Sequence, residues 1–140
     1  GYTSGGQDGG TIINTIQKFP FSSDSSASDV GELTRCHRFG AGNSSNINGY
    51  HSGGEPAPFD QIEKFPFATD APGTDVGELT ARERLTGQSS TSSGYLSGGS
   101  QPPPSTSLET ILKFPFSIDA PASDVGELTQ ARRASAGNQV

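Results

Sequence analysis

The 140-residue sequence has no methionine, no tryptophan and only one cysteine, Cys36. One cysteine excludes a disulfide within the chain and a zinc site built from cysteines. Because methionine is absent, we expect a processed product or a piece of a longer protein. No apolar stretch approaches the roughly 20 residues that a membrane span needs, so membrane insertion is not predicted.

Basic residues are also scarce. Lysine and arginine number 9 against 15 acidic residues, which gives a formal net charge of -6. A nucleic-acid-binding protein carries a basic patch that neutralises phosphates, and this composition does not supply one. A nucleic acid is therefore not predicted as the partner.

Large apolar residues are few, whereas turn-forming residues are abundant. Leucine, isoleucine, valine and phenylalanine together make up 19% of the chain, and glycine, proline and serine make up 35%. Both values are in the range of disordered chains. Only 17% of the residues are charged, however, so composition alone leaves disorder and folding both open.

A threefold repeat argues against disorder. Eleven of seventeen positions are identical in the blocks KFPFSSDSSASDVGELT, KFPFATDAPGTDVGELT and KFPFSIDAPASDVGELT, which begin at Lys18, Lys64 and Lys113. A second block, Gly-Tyr-x-Ser-Gly-Gly, begins at Gly1, Gly49 and Gly94. Apolar residues kept at fixed separations through three copies indicate a folded repeat protein. We assign the repeats to residues 1–48, 49–93 and 94–140.

Each repeat has the pattern of four short strands without a helix. The first strand lies around the Gly-Tyr-x-Ser-Gly-Gly block. The others are predicted at Thr15–Phe21, Gln61–Phe67 and Thr110–Phe116, then at Val30–Thr34, Val76–Thr80 and Val125–Thr129, and last at Ala41–Ser45, Gly87–Thr91 and Ala136–Val140. Four strands in about 46 residues are typical of one β-propeller blade.

The repeats resemble the kelch-repeat β-propellers. A tyrosine precedes each double glycine, and the Ile16–Phe21 segment is similar to the apolar and aromatic strand of a kelch blade. The kelch arginine position corresponds to Arg82 and Arg132, with His37 or Arg38 in the first repeat. Valine occupies the place of the kelch tryptophan, at Val30, Val76 and Val125. The amino-acid sequence of the repeats is also similar to that of divergent kelch-like arrays in structural proteins of marine phages and in environmental bacterial proteins.

Three blades do not close a propeller, which ordinarily has four to eight. We therefore predict that two chains complete a six-bladed ring, or that the chain is half of a longer array. In the first case the C-terminal AGNQV of one chain would run on into the GYTSGG of another. If the rotation per blade does not close the ring, the same contact builds a filament.

The remaining repeated residues receive structural interpretations. The phenylalanine pairs, beginning with Phe19 and Phe21, are predicted to form inter-blade core, and the proline between each pair to mark a strand end. The aspartates are predicted to form Asx turns rather than a calcium site. Lys18, Lys64 and Lys113 are predicted to pair with Glu32, Glu78 and Glu127 across neighbouring strands.

Nothing in the sequence predicts enzymatic chemistry. The residues without counterparts in the other repeats are Cys36, His37 and His51, and neither histidine has a catalytic partner at a diagnostic spacing. No catalytic residue, metal or cofactor is predicted.

Two functions stay open at this point. The first is a glycan-binding module of a virion fibre or a surface adhesin, located outside cells, whose weak contacts are multiplied by avidity. Its predicted ligand-binding residues are Tyr2, Tyr50, Tyr95, Asp24, Asp70 and Asp119, together with the variable loops after the double glycines. The second is a self-associating scaffold or filament component.

Overall fold

A computed structural model describes residues 1–103 and 105–139, and within them the chain is all β. No helix in this part is long and apolar enough to cross a membrane. The fourteen strands form four antiparallel sheets. In chain order they are β1 (Tyr2–Ser4), β2 (Gln7–Asp8), β3 (Thr11–Ile12), β4 (Thr15–Lys18), β5 (Ser28–Glu32), β6 (Ala41–Ser44), β7 (Asn48–Ser52), β8 (Gln61–Pro66), β9 (Thr74–Glu78), β10 (Thr86–Ser89), β11 (Ser93–Ser97), β12 (Ser100–Gln101), β13 (Thr106–Pro115) and β14 (Ser123–Arg132).

Three of the sheets correspond to the three repeats. The first sheet has the order β1-β4-β5, and the second has β6-β7-β8-β9. The third sheet has the path β10-β11-β13, to which β14 and the short β12 add, and β2 and β3 form a separate hairpin. The all-β prediction is thus confirmed.

The second and third sheets each begin with a strand from the preceding repeat. β6 pairs with β7, with Ala41 opposite Ser52, and β10 pairs with β11, with Thr86 opposite Ser97. The last strand of one repeat therefore forms a hairpin with the first strand of the next. Among the described residues the first sheet has no such strand, so β1 is its edge.

The predicted strand at Ala136–Val140 is wrong for the described residues. No strand covers Ala136–Gln139, whereas the equivalent residues form β6 and β10, and Val140 lies outside the described residues. The physical reason is pairing. A strand persists when a neighbour satisfies its backbone groups, and β6 and β10 each have the following Gly-Tyr strand as that neighbour.

The sheets pack face to face through two hydrophobic clusters. Ile16, Leu33 and Phe65 form the cluster between the first and second sheets. A larger cluster, which includes Tyr50, Ile62 and Phe114, joins the second sheet to the third. The predicted inter-sheet role of phenylalanine is confirmed for Phe65 and Phe114. It is wrong for Phe21, which is 80% exposed because no sheet precedes the first one in the described chain. Pro66 and Pro115 end their strands as predicted.

The predicted lysine partners are wrong. Lys18 pairs with Asp70 at 3.2 Å and Lys64 with Asp119 at 2.5 Å. Each of these ion pairs joins one sheet to the next. The lysine side chains point towards the next sheet in the stack, so Glu32, Glu78 and Glu127 on their own sheets are not their partners. The predicted Asx turns are confirmed at Asp29, Asp75 and Asp124, whose carboxylates accept hydrogen bonds from Gly31, Gly77 and Gly126.

Glycine 94 and its equivalent Gly49 leave room for a phenylalanine ring. Gly94 lies opposite Phe114 in the β11–β13 ladder, and a Cβ on Gly94 would overlap that ring. Gly42 lies in β6 with nothing within 4 Å of the position of a Cβ. Gly94 is therefore a crowded site, and Gly42 is an open site within the single chain.

We expect Gly94→Ala to lower the free energy of unfolding by about 1–3 kcal/mol, because the added methyl group overpacks the core. For the single chain at high dilution, Gly42→Ala is the control and should change it by less than about 0.5 kcal/mol, because nothing within one chain lies near the added methyl group. Urea unfolding followed by circular dichroism measures both. Equal stabilities of the two variants would contradict the packing described for Phe114.

Candidate functional site

The contact that joins neighbouring sheets is a tyrosine stacked on a phenylalanine. Tyr2 of the first sheet stacks on Phe67 of the second, with ring centroids 4.5 Å apart, and also contacts Phe65. Tyr50 repeats this arrangement on the third sheet, 4.9 Å from Phe116. Stacked and edge-on ring contacts add about 0.5–1.5 kcal/mol each to the burial of the rings. The repeated contact sets the spacing and direction of the stack.

One half of this contact is exposed at the start of the stack. Phe19 and Phe21 occupy the positions of the phenylalanine pairs in the other sheets and contact each other at 5.5 Å. Phe21 is 80% exposed, whereas Phe67 and Phe116 are half-buried. We call this surface, defined by Phe19 and Phe21, the phenylalanine end.

Among the described residues, the tyrosine of the third sheet is half-buried and has no phenylalanine stacked on it. Tyr95 lies where Tyr2 and Tyr50 lie in their sheets, and the Lys113 ammonium is 5.6 Å from its ring centroid. Lys18 takes the same position over Tyr2, at 5.7 Å. We call this surface, defined by Tyr95 and Lys113, the tyrosine end.

Apolar side chains at the tyrosine end are more exposed than their counterparts inside the stack. Leu128 is half-buried, while Leu33 is only 2% exposed. Val125 is 50% exposed, and Val30 and Val76 are both less exposed than that. A face that is covered in two sheets is therefore uncovered in the third.

Complementary charges accompany the two ends. Inside the stack each lysine pairs with an aspartate of the next sheet. Among the described residues, Lys113 and Asp24 are the members of this series that make no such ion pair. Asp24 has the same left-handed backbone as Asp70, with φ of 47° and 45°.

A cleft of about 630 Å³ lies beside β1, and we call it the β1 cleft. One wall is the edge strand β1, and the other includes Gly40–Ser44 with β6. Phe21, Tyr50 and Gln139 also line it. The cleft lies along the unpaired edge of the first sheet.

The predicted ligand-binding residues are not brought together on one surface. Tyr50 is 3% exposed within the inter-sheet core, and Tyr2 is half-buried, with its hydroxyl donating to the carbonyl of Phe67 at 3.3 Å. Asp70 and Asp119 are exposed but pair with lysines. Tyr95 and Asp24 lie at opposite ends of the stack. A small ligand cannot reach the ring of Tyr50 in this arrangement.

The structure brings together two histidines that sequence reasoning left apart. The rings of His37 and His51 lie 5.8 Å apart, both buried, and His37 Nε2 is 3.7 Å from the Glu63 carboxylate. His51 Nδ1 shares a hydrogen bond with the Ser4 hydroxyl at 3.1 Å. This cluster fills the space between the first two sheets.

A departure from the repeat could have revealed that cluster. His51 and Glu63 face each other across the β7–β8 ladder, and the equivalent pair in the third sheet is Leu96 and Leu112. His37 takes the place of Arg82 and Arg132, since the carbonyls of all three accept a hydrogen bond from the second glycine of a double glycine. His37, His51 and Glu63, which differ from their counterparts in the other repeats, thus form one polar layer.

Burial lowers the pKa of both histidines. The pKa of His51 falls to about 4, first because of desolvation and then because of the neighbouring His37. Desolvation also lowers the pKa of His37, against the opposing effect of Glu63 and with a smaller lowering by Arg35. With a pKa near 4, His51 is a weak base at neutral pH. Within the described residues no three histidine, cysteine, aspartate or glutamate side chains are grouped so that they could hold a metal ion.

The variable loops begin side by side along one edge of the stack. Arg38 donates to the side chains of both Gln7 and Glu55, which start the first two loops. Glu83 exchanges backbone hydrogen bonds with Ser100, which starts the third. Burial and the neighbouring Glu55 carboxyl raise the pKa of Glu83. The loops predicted as a contact surface therefore share one side of the molecule.

A scan of protein-family models gives no match to this chain, and a search among curated proteins gives none either. The resemblance to kelch repeats stays a prediction from the sequence.

We expect the folding stability to fall as the pH drops from about 6.5 to about 4. The unfolded chain binds a proton at His51 in this window and the folded chain does not, so acid favours unfolding. The loss from His51 is on the order of 3 kcal/mol. In His51→Leu, which copies the leucine of the third sheet, the loss should be smaller. Urea unfolding at pH 7 and at pH 4.5 measures this difference, and equal losses in both proteins would contradict the role of His51.

Proposed function

We propose that this chain is a non-enzymatic structural module whose two ends bind each other, so that two copies close into a six-sheeted β-propeller. The phenylalanine end of one copy would receive the tyrosine end of the other. Each copy would contribute both ends, and the pair would contain two identical head-to-tail contacts. Such a contact between the same two surfaces can close a ring.

One observation carries this proposal. The tyrosine-on-phenylalanine contact occurs twice within the chain with nearly the same geometry, and the two halves of a third such contact lie at its opposite ends, where Phe21 is 80% exposed and Tyr95 is half-buried. The charges agree, because Lys113 and Asp24 would form the ion pair made by Lys18 with Asp70 and by Lys64 with Asp119. The proposed contact would therefore join surfaces of the same kinds as those that pack together between neighbouring sheets inside the chain.

The size of the uncovered surface is sufficient for a moderate affinity. Phe21 is 80% and Val125 is 50% exposed, while Phe19, Tyr95 and Leu128 are already half-buried, so completing the burial of these side chains would contribute on the order of 5 kcal/mol at each contact. Association costs roughly 4–15 kcal/mol, and a closed pair incurs this cost once for two contacts. We therefore expect closure of the pair to be favoured over a single open contact.

We expect Phe21→Ala to weaken the pair by at least tenfold in its dissociation constant, because each pair loses two aromatic contacts. The fold should be unaffected, since Phe21 is 80% exposed in the single chain. Ile47→Ala is the matched control, because Ile47 is 70% exposed in the β6–β7 turn, away from both ends. Sedimentation velocity over a concentration series measures the constants. Equal weakening by both substitutions, or none by either, would contradict the proposed contact.

Glycan recognition is a second candidate, favoured by the position of the variable loops. Gln7, Glu55 and Ser100 start the three loops along one edge, and Arg38 and Glu83 link them. In a closed pair six such loops would surround one face, and weak contacts to a repeated sugar would be multiplied.

A glycan array probed with the assembled protein tests this second function. We expect binding that Arg38→Ala reduces, since this substitution releases the first two loops, while Ile47→Ala leaves binding unchanged. An array without any bound glycan would remove glycan recognition and leave the assembly untouched.

A further inference from the structure

We propose that residues 136–139 of one copy add to β1 of its partner as the missing edge strand of the first sheet. This inference rests on the proposed head-to-tail assembly and names the segment that completes it. It is strand addition to an open sheet edge, in which backbone hydrogen bonds provide affinity.

The first sheet lacks the strand that the other sheets possess. β7 and β11 are each covered by a strand from the preceding repeat, β6 and β10, while β1 has a neighbour on one side only, β4. The β1 cleft of about 630 Å³ occupies the place where that strand would lie. An exposed strand edge presents unpaired N–H and C=O groups, which favour pairing with another chain.

The donor segment already lies where such a strand begins. The Ser44 N–H donates to the Ser89 hydroxyl at 3.0 Å, and the Ser89 N–H donates to Gln139 Oε1 at 2.7 Å. Residues 136–139 therefore pack against β10 much as β10 packs against β6. They occupy the first position of a fourth sheet, and the other strands of that sheet would be β1, β4 and β5 of the partner.

Small residues in the donor are required by this packing. A Cβ on Gly87 would overlap the backbone of Gly42, and a Cβ on Gly137 would lie 2.8 Å from the carbonyl oxygen of Gly87. The sequence Ala-Gly-Asn at 136–138 repeats the Ala-Gly-Asn of β6 at 41–43. Gly137 thus has the position that Gly42 has in β6 and Gly87 has in β10.

The pairs inside the chain fix the register. In the β6–β7 ladder Ala41 lies opposite Ser52 and Ser44 opposite Gly49, and the β10–β11 ladder has the same register. Transferred to the interface, this register places Ala136 opposite Ser4 of the partner and Gln139 opposite Gly1. The two strands would be antiparallel.

Disulfide trapping tests the register. Chains carrying Ser4→Cys are mixed with chains carrying Ala136→Cys, both with the exposed Cys36 replaced by serine, and are oxidised mildly. Residues directly opposite in an antiparallel pair have Cβ atoms about 4.5–5.5 Å apart, close enough to link after a small shift. Ser4→Cys mixed with Gln139→Cys is the control, because three residues along a strand correspond to about 10 Å.

The proposal expects at least tenfold more covalent dimer with Ala136→Cys than with Gln139→Cys, mapped to positions 4 and 136 by mass spectrometry. It also expects slower hydrogen exchange at the amides of Tyr2 and Ser4, which face the open edge of β1, in the dimer than in the Phe21→Ala variant diluted until it is monomeric. Dimers in light scattering with equal trapping at both positions, or with unprotected β1 amides, would overturn strand addition and leave the head-to-tail proposal standing. Monomers throughout, with a free β1 edge, would overturn both.

Discussion

The stacking of a tyrosine on a phenylalanine of the next sheet is the contact on which the rest of the structure depends. Few other large apolar side chains exist in a chain that is 35% glycine, proline and serine. Tyr2 and Tyr50 each bring one sheet onto the next, and the glycines at Gly49 and Gly94 allow the phenylalanine rings to lie flat against their own sheets. The polar residues are left to the turns and loops.

The same contact explains why one module has two different ends. A stack in which each sheet offers a tyrosine forward and a phenylalanine pair backward exposes one of each. Each lysine pairs with an aspartate of the following sheet, so one lysine and one aspartate are left over at opposite ends of the stack. The sheet that lacks a strand is also at one end, since it is the first. A single head-to-tail contact would therefore pair the edge strand, stack the tyrosine on the phenylalanine and form the lysine–aspartate ion pair.

Much of the fold follows from the threefold repeat, because identical spacing in three copies reveals which residues share an environment. The core positions of Phe65 and Phe114, the prolines at strand ends and the aspartate turns could be predicted in this way, whereas the exposure of Phe21 could not, because it depends on the sheet being the first of the stack. The partner of Lys18 could not, because sequence spacing does not show whether a side chain points across its own sheet or towards the next. The layer of His37, His51 and Glu63 was missed because its members come from different strands, although each departs from its counterparts in the repeat.

The segment at residues 136–139 shows the limit of pattern reasoning most clearly. Its Ala-Gly-Asn matches that of β6, yet it forms no strand, because a strand depends on its neighbour as much as on its own sequence. The most direct test of the central claim is the mass of the unmodified protein in solution, by light scattering at micromolar concentrations. Two copies closed into one propeller give a single species of twice the chain mass of 14.4 kDa. A stable monomer, or filaments of unlimited length, would contradict it.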